Sequence, residues 1–255
     1  MIQRLVIIGA GAVGASIGAR LHLAKIPVFL VARGAHLQAL QAKGLTLRTP
    51  GETRVLKLAV GERPERRAGD IALLCVKSQD TAVALRFIPS HVPVVCAQNG
   101  VANETMAAQL HPTIAMLVWI LAAHLEPGSV SLYATGSPGI LDVGSISADA
   151  GLVAELAELL RVAGFDSQCR VDIMSWKRAK LVSNLPGILQ ISAAHADAAL
   201  IDALIAEGQA VFEKAELPYT DLEIDVCPHR STHANARCCR QISKSVNQGP
   251  DFVAA

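Results

Sequence analysis

Six residues near the start of the chain, Gly9-Ala10-Gly11-Ala12-Val13-Gly14, have the glycine spacing GxGxxG. They follow an apolar run at 5–8 and open a stretch of small and apolar residues at 12–24, which predicts strand, turn and helix. There the first glycine allows the tight turn, the second lets backbone approach a pyrophosphate, and the third lets helix and strand pack closely. The motif therefore predicts a dinucleotide phosphate site formed by Gly9, Gly11, Ala12, Val13 and Gly14 at a helix N-terminus. A purely structural glycine turn is the alternative.

The second predicted strand ends in Val31-Ala32-Arg33. A site specific for NAD usually places an acidic residue here, about 20 residues after the glycines, to bind the ribose 2′-hydroxyl. Arg33 instead suits a 2′-phosphate, because a guanidinium offers charge and paired hydrogen bonds. The sequence thus favours NADP(H) over NAD, the alternative for Arg33 being a solvated surface side chain.

Two polar loops follow later predicted strands, and they contain Lys77 and Asn99. Ligands of open α/β sheets bind beyond the carboxyl ends of the strands. Lys77 is therefore placed to reach cofactor or substrate, and Asn99 to hydrogen-bond a carbonyl, an amide or a ribose. Both residues are equally compatible with an ordinary loop, since Asn-Gly is also a turn signal.

Lys180 and Asn184 are four residues apart in an otherwise apolar, helix-like stretch, so they share one helix face. A lysine partly buried in a cleft has a lowered pKa and can act as an acid. The alternative is a lysine whose stem lies along an apolar surface with its ammonium in water. Lys177, three residues earlier, competes for the same role.

The elements that must position these residues alternate between strand and helix up to about residue 164, which predicts a doubly wound, Rossmann-type α/β sheet. Asp149 is placed to cap a helix at 150–163. Strand signals stop beyond Asp172, and 176–194 and 198–215 are helix-like, with a kink or break expected at Pro186. We therefore predict an NADP-binding domain at 1–167 and a smaller all-helical domain at 168–255. The tail after about 228 has no periodicity, and we assign it no structure.

Composition excludes several other classes. The net charge is +1 and basic residues do not cluster, so no nucleic-acid partner is expected. The apolar run at 114–123 is shorter than the ~20 residues that span a bilayer, and the strand-and-glycine-turn interpretation accounts for the N-terminus better than a signal peptide. No CxxC pair occurs, which predicts reduced thiols and a cytoplasmic location. No metal site is expected, although these residues are the ones to consider: His195, His229, His233, Cys238 and Cys239.

Taken together, these motifs resemble the ketopantoate reductases (2-dehydropantoate 2-reductases). The resemblance rests on GAGAVG at 9–14, VAR ending at Arg33, VKSQD around Lys77, QNGV around Asn99, the W…KLVSN segment at 176–184, and AEGQAVFEKAELP. It covers roughly residues 1–220.

The resemblance implies NADPH-dependent reduction of 2-dehydropantoate to pantoate, on the route to pantothenate and coenzyme A. It also implies a role for each matching residue. Lys180 would be the catalytic lysine, Asn184 would bind substrate, Asn99 would contact substrate or the nicotinamide ribose, and Lys77 would lie near the cofactor. A small-molecule 2-oxo acid is the expected partner, and a homodimer is a compatible assembly.

The chain departs from the family pattern at its C-terminus. Family members usually continue through a serine-rich turn to an acidic residue of the active site, whereas here only Arg230-Ser231-Thr232 is similar and no Glu follows. The second domain is therefore expected to be truncated. Two alternatives stay open, namely a reductase of another 2-oxo acid and a catalytically impaired NADP-binding pseudoenzyme.

Overall fold

Eleven strands and seven α-helices form the regular structure of the residues that this computed structural model describes, which are 1–65, 67–192 and 198–220. The strands are β1 (Arg4–Ile8), β2 (Val28–Val31), β3 (Leu45–Arg48), β4 (Thr53–Leu56), β5 (Ala59–Gly61), β6 (Asp70–Leu74), β7 (Val94–Cys96), β8 (Thr113–Ile120), β9 (Ala122–Ala123), β10 (Ser129–Leu132) and β11 (Gly139–Ser145). The helices are α1 (Ala12–Leu23), α2 (Gly34–Lys43), α3 (Thr81–Leu85), α4 (Asn103–Ala108), α5 (Ala150–Val162), α6 (Ile173–Ser192) and α7 (Ala198–Lys214).

Some of the sequence predictions fall outside the described residues. These are the tail after 228 and the five His and Cys residues considered for a metal, His195, His229, His233, Cys238 and Cys239. The division of the chain at 167 stays a prediction.

The main sheet has seven strands in the order β11-β8-β7-β6-β1-β2-β5. Neighbouring strands are parallel from β8 through to β5, and β11 pairs antiparallel with β8. The strand order reverses direction between β1 and β6, and this switch point is where doubly wound folds bind ligands. The predicted Rossmann-type α/β class is confirmed.

A second, four-stranded sheet has the order β4-β3-β10-β9. The weak alternation at 45–58 predicts a hairpin or edge strands, and β3 and β4 form a hairpin, with antiparallel pairing from Leu45 opposite Leu56 to Arg48 opposite Thr53. β10 pairs parallel with β3. β10 thus belongs to this second sheet, while in the main sheet β8 pairs with β11.

The last part of the described chain is helical. Asp149 caps α5 as predicted, because its carboxylate accepts hydrogen bonds from the N–H groups of Gly151 and Leu152. α6 runs through Pro186 without the break that proline predicts. Gly208 of α7 lets the two helices approach closely, since a Cβ there would lie 2.6 Å from Leu185 Cδ1. None of the helices in the described part of the chain combines the length and apolarity needed to cross a bilayer.

Gly11, the N-cap of α1, and Gly14, in its first turn, should differ in how strongly substitution by alanine destabilises the protein. A Cβ at Gly14 would lie 2.0 Å from the Gly9 carbonyl oxygen, whereas at Gly11 it would meet no atom within 4 Å. We expect Gly14→Ala to lower the free energy of unfolding by about 1–3 kcal/mol and Gly11→Ala by under about 1 kcal/mol. Urea unfolding of the two variants beside the wild type measures this, and equal losses would contradict the packing argument.

Candidate active site

The glycine loop has the geometry of a phosphate site. Gly9 has φ +101°, and a Cβ there would lie 2.9 Å from the Cys75 carbonyl carbon, so only glycine lets the turn after β1 pass the end of β6. Gly11 is the N-cap of α1, with no side-chain hydrogen bond to the first turn. The first N–H groups of the helix, at Ala12 and Val13, therefore have no side-chain cap, and they are the groups that favour an anion.

A histidine that belongs to none of the sequence motifs supports this loop. His36, in the first turn of α2, has Nε2 2.8 Å from the Ala10 carbonyl oxygen, and its Nδ1 accepts a hydrogen bond of 2.9 Å from the Gly128 N–H. Because Nδ1 accepts, the ring is neutral and Nε2 carries the proton. Burial lowers the pKa of His36, and so does the charge of His124, whose ring centroid lies 4.3 Å away.

Arg33 and Lys77 follow the carboxyl ends of β2 and β6, on the same edge of the sheet as the glycine loop. Arg33 is 88 % exposed, with its Nη2 3.9 Å from Asp80 Oδ2. An exposed pair at this distance contributes little to stability, so the guanidinium is available to a ligand. Lys77 is also exposed, directly before a 3₁₀ turn at Ser78–Asp80.

A second group of polar residues lines a cleft between α6 and the carboxyl ends of β7 and β8. Lys180 Nζ donates to Asn99 Oδ1 at 2.8 Å, although the two residues are 81 apart in the chain. The sequence places Asn184 on the same helix face, and it lines the same cleft. Sequence reasoning thus selects three residues that the fold brings together.

The two competing lysines differ in what their ammonium groups contact. Lys177 Nζ donates to the carbonyls of Gln98 and Met116 and forms an ion pair of 2.8 Å with Glu104. Lys180 Nζ donates to Asn99 and to the carbonyl of Val118. Among the described residues, Lys177 Nζ is thus paired with a carboxylate, whereas Lys180 Nζ contacts only neutral acceptors and keeps one of its three N–H donors without a partner. This difference favours Lys180 as the lysine that meets a ligand.

Burial also prepares the Lys180 ammonium for proton transfer. Lys180 is 9 % exposed, and its Nζ lies 5.5 Å from the centroid of the Trp119 ring. Burial, and then the positive charge of Lys177, lower the pKa of Lys180 to about 8. The group is therefore largely protonated at neutral pH and yet more acidic than an ordinary lysine.

A buried hydrogen-bond network, which sequence reasoning missed, joins the two loops of the site. Thr81 Oγ1 donates to Asn103 Oδ1 at 3.0 Å and accepts from Gln98 Nε2 at 2.8 Å. Asn103 Nδ2 reaches Ser78 Oγ and the Asn99 carbonyl, both at 3.2 Å. The sequence signal for this network is the run of polar residues after β6 and β7, but residue spacing alone does not show which of these side chains hydrogen-bond to each other. The network fixes the Asn99 loop relative to the Lys77 loop.

The parallel sheet, its switch point and the glycine loop define a Rossmann-type α/β protein. The family profile described as "Ketopantoate reductase PanE/ApbA" matches residues 5–148. The chain therefore belongs to the ketopantoate reductase family.

Individual relatives agree with this assignment. A 2-dehydropantoate 2-reductase of Archaeoglobus fulgidus is 37% identical over 187 residues, which cover 72% of this chain and 61% of that protein. The crystal structure of a PanE/ApbA family ketopantoate reductase from Ralstonia eutropha JMP134 matches with a TM-score of 0.75 at 25% identity, covering 98% of this chain and 84% of the other. A D-mandelate dehydrogenase solved with NADH and anilino(oxo)acetate shares the fold, with a TM-score of 0.65 at 20% identity and coverage of 94% and 93%. The chain thus spans about three fifths of the length of its Archaeoglobus relative.

His36 makes stability depend on pH. Its pKa is lowered from the ordinary 6.5, so the unfolded chain binds the proton more readily. The contribution of His36 to the free energy of unfolding is complete above pH 6.5. It declines as the pH falls from 6.5 toward the lowered pKa of the folded protein. We expect urea midpoints to fall between about pH 7.5 and pH 5 in the wild type, and to fall less in His36→Gln.

The exposed His91 supplies the matched control. His91→Gln should retain the wild-type pH dependence. If His36→Gln and His91→Gln behave alike, His36 does not need to be neutral in the folded protein.

Proposed function

We propose that this protein is an NADPH-dependent reductase of a 2-oxo acid, and that its substrate is 2-dehydropantoate, reduced to pantoate on the way to pantothenate and coenzyme A. The observation that carries the proposal is the buried Lys180 ammonium, which has one N–H directed to no described partner and lies in a cleft at the carboxyl ends of β7 and β8. Membership of the ketopantoate reductase family supports the named substrate.

The residues at the carboxyl edge of the sheet fit a nicotinamide dinucleotide. Open space at Gly11 and the uncapped start of α1 suit a pyrophosphate held by Gly9, Gly11, Ala12, Val13 and Gly14. Arg33 would bind the 2′-phosphate, and Lys77 would lie beside the cofactor. When bound, the nicotinamide supplies the hydride.

Lys180 supplies the proton and the charge that the reduction needs. Reduction of a keto carbon turns its oxygen into an alkoxide, and an ammonium beside that oxygen stabilises the negative charge and transfers a proton to it. Asn99 and the Val118 carbonyl hold Nζ through two of its N–H groups, which leaves the third for the keto oxygen. Asn184, on the same face of α6, is placed to bind the polar groups of the substrate, as Asn99 is through its remaining amide N–H donors.

The cysteines support a cytoplasmic protein. Cys75, Cys96 and Cys169 are free, and burial raises the pKa of the first two thiols to about 12. Such thiols are unreactive, and unpaired cysteines are typical of a reducing compartment. We include this location, a small-molecule partner and a homodimer in the proposal.

The direct test is oxidation of NADPH by the purified protein on addition of 2-dehydropantoate. Lys180→Ala removes the proton donor, so we expect kcat to fall by about 10²–10⁴ while NADPH still binds. The rate should also decline as pH rises through the Lys180 pKa of about 8, since the deprotonated amine has no proton to give. The exposed Lys57 provides the control, and Lys57→Ala should leave the rate unchanged.

Three other outcomes would each correct the proposal. Turnover of a different 2-oxo acid would retain the reaction and replace the substrate. Turnover with NADH alone would replace the cofactor. Binding of NADPH without turnover of any 2-oxo acid would identify a non-catalytic NADP-binding protein.

Arg33 should decide between the two cofactors. Hydrogen bonds to a charged group contribute about 1.5–3 kcal/mol, so Arg33→Ala should weaken NADPH binding by roughly ten- to hundredfold. NADH lacks the 2′-phosphate, and its affinity should change little. Arg54 is an exposed arginine on β4, away from the edge of the main sheet, and Arg54→Ala is the control for surface charge. If Arg33→Ala weakens the binding of NADPH and NADH equally, this arginine does not recognise the 2′-phosphate.

A further inference from the structure

Lys177 and Glu104 form a buried ion pair beside the cleft. Their side chains are 3 % and 1 % exposed, and Nζ lies 2.8 Å from Oε1. Within the described residues, Lys177 is the one cation within ion-pair distance of Glu104. Removing two charges from water costs several kcal/mol per ion, so a buried pair is weak evidence for a role in stability. The position of this pair suggests a different role.

The pair lies where two neighbouring strands end at different points. β7 stops at Cys96, opposite Ala115, whereas β8 continues to Ile120. Beyond Ala115, this edge of β8 has no neighbouring strand whose N–H groups could donate hydrogen bonds to its carbonyl groups. The carbonyls of Met116 and Val118, two residues apart and therefore on one side of the strand, accept from Lys177 and Lys180 instead.

The loop after β7 repeats this pattern. The Gln98 carbonyl accepts from Lys177, and the Asn99 side chain, one residue on, accepts from Lys180. The two lysines lie about one turn apart on α6, so successive turns of the helix bind successive positions of the same two elements. Glu104 adds a third element, α4, to the contact made by Lys177.

We propose that Lys177 and Glu104 are positioning residues, which hold the start of α6 on the ends of β7 and β8 so that the free N–H of Lys180 faces the substrate. The inference rests on the proposed function, because Lys180 is the proton donor there. Lys177 and Glu104 themselves touch no reacting atom.

The same pair acts on Lys180 electrostatically. The charge of Lys177 is, after burial, the second cause of the lowered Lys180 pKa. The other titratable groups of this region are Glu104 on α4 and Cys96 on β7, and the Cys96 thiol is uncharged at neutral pH because burial raises its pKa to about 12. Removing the charge of Lys177 should therefore raise the pKa of Lys180, and removing that of Glu104 alone should lower it.

Two variants test the proposal. The double variant Lys177→Met with Glu104→Gln removes both charges and leaves no unpaired buried charge. Glu104→Gln alone keeps the ammonium and gives it a neutral acceptor. The exposed pair of Arg161 and Glu158 on α5 supplies the matched control, as Arg161→Met with Glu158→Gln.

The first readout needs neither substrate nor cofactor. Acetic anhydride labels lysines only as free amines, so labelling of Lys180 across pH, followed by peptide mass spectrometry, reports its titration. We expect the midpoint to move from about 8 toward the ordinary 10.5 in the double variant, and downward in Glu104→Gln. General loss of structure would not move the two variants in opposite directions.

The second readout is kinetic. In the double variant we expect kcat to fall by about ten- to hundredfold, as for a displaced catalytic group, with KM for NADPH unchanged. The alkaline limb of the pH–rate profile should move with the labelling midpoint. If the double variant does not fold, the downward shift in Glu104→Gln still tests the proposal.

Unchanged labelling midpoints in both variants, or a folded double variant with wild-type kcat, would overturn the inference. If the wild type reduces no 2-oxo acid, the proposed function fails, and the labelling experiment still shows whether the pair governs Lys180. The two failures are therefore distinguishable.

Discussion

The difference in length between β7 and β8 is the constraint on which the candidate site depends. A parallel strand that extends past its neighbour leaves carbonyl groups that must find donors, because burying them unpaired costs free energy. Here β8 extends past β7, and the donors are lysines on α6. The helix that follows the α/β part of the chain is therefore attached to the sheet at the edge where a dinucleotide fold binds its ligands. The need of the β8 carbonyl groups for hydrogen-bond donors thus brings two ammonium groups to the site.

Much of the fold could be predicted because it depends on local patterns. Buried parallel strands appear as short continuous apolar runs, and the glycine motif gains its meaning from the strand before it and the helix after it. The capping of α5 by Asp149 is likewise local. The position of β10 was not predictable in this way, since its partner β3 lies about 80 residues earlier in the chain and no local pattern names that partner.

The site shows the same division between local and long-range information. Sequence spacing placed Lys180 and Asn184 on one helix face, but it could not decide between Lys180 and Lys177, which are three residues apart. The decision depends on acceptors 61 to 81 residues away in the chain, at Met116, Val118, Gln98 and Asn99. His36 gave no signal at all, because its importance comes from the Gly128 N–H, 92 residues on.

The partners of the two lysines also explain how one of them can serve as an acid. A carboxylate is a charged acceptor for an ammonium, whereas an amide or carbonyl oxygen is a neutral one. Lys177 has such a partner in Glu104, whereas Lys180 is held by an amide oxygen and a backbone carbonyl, which are neutral. The neutral acceptors orient the ammonium, and burial together with the charge of Lys177 lowers the pKa of Lys180 to about 8. Because no carboxylate among the described residues pairs with Lys180, its proton is available for transfer.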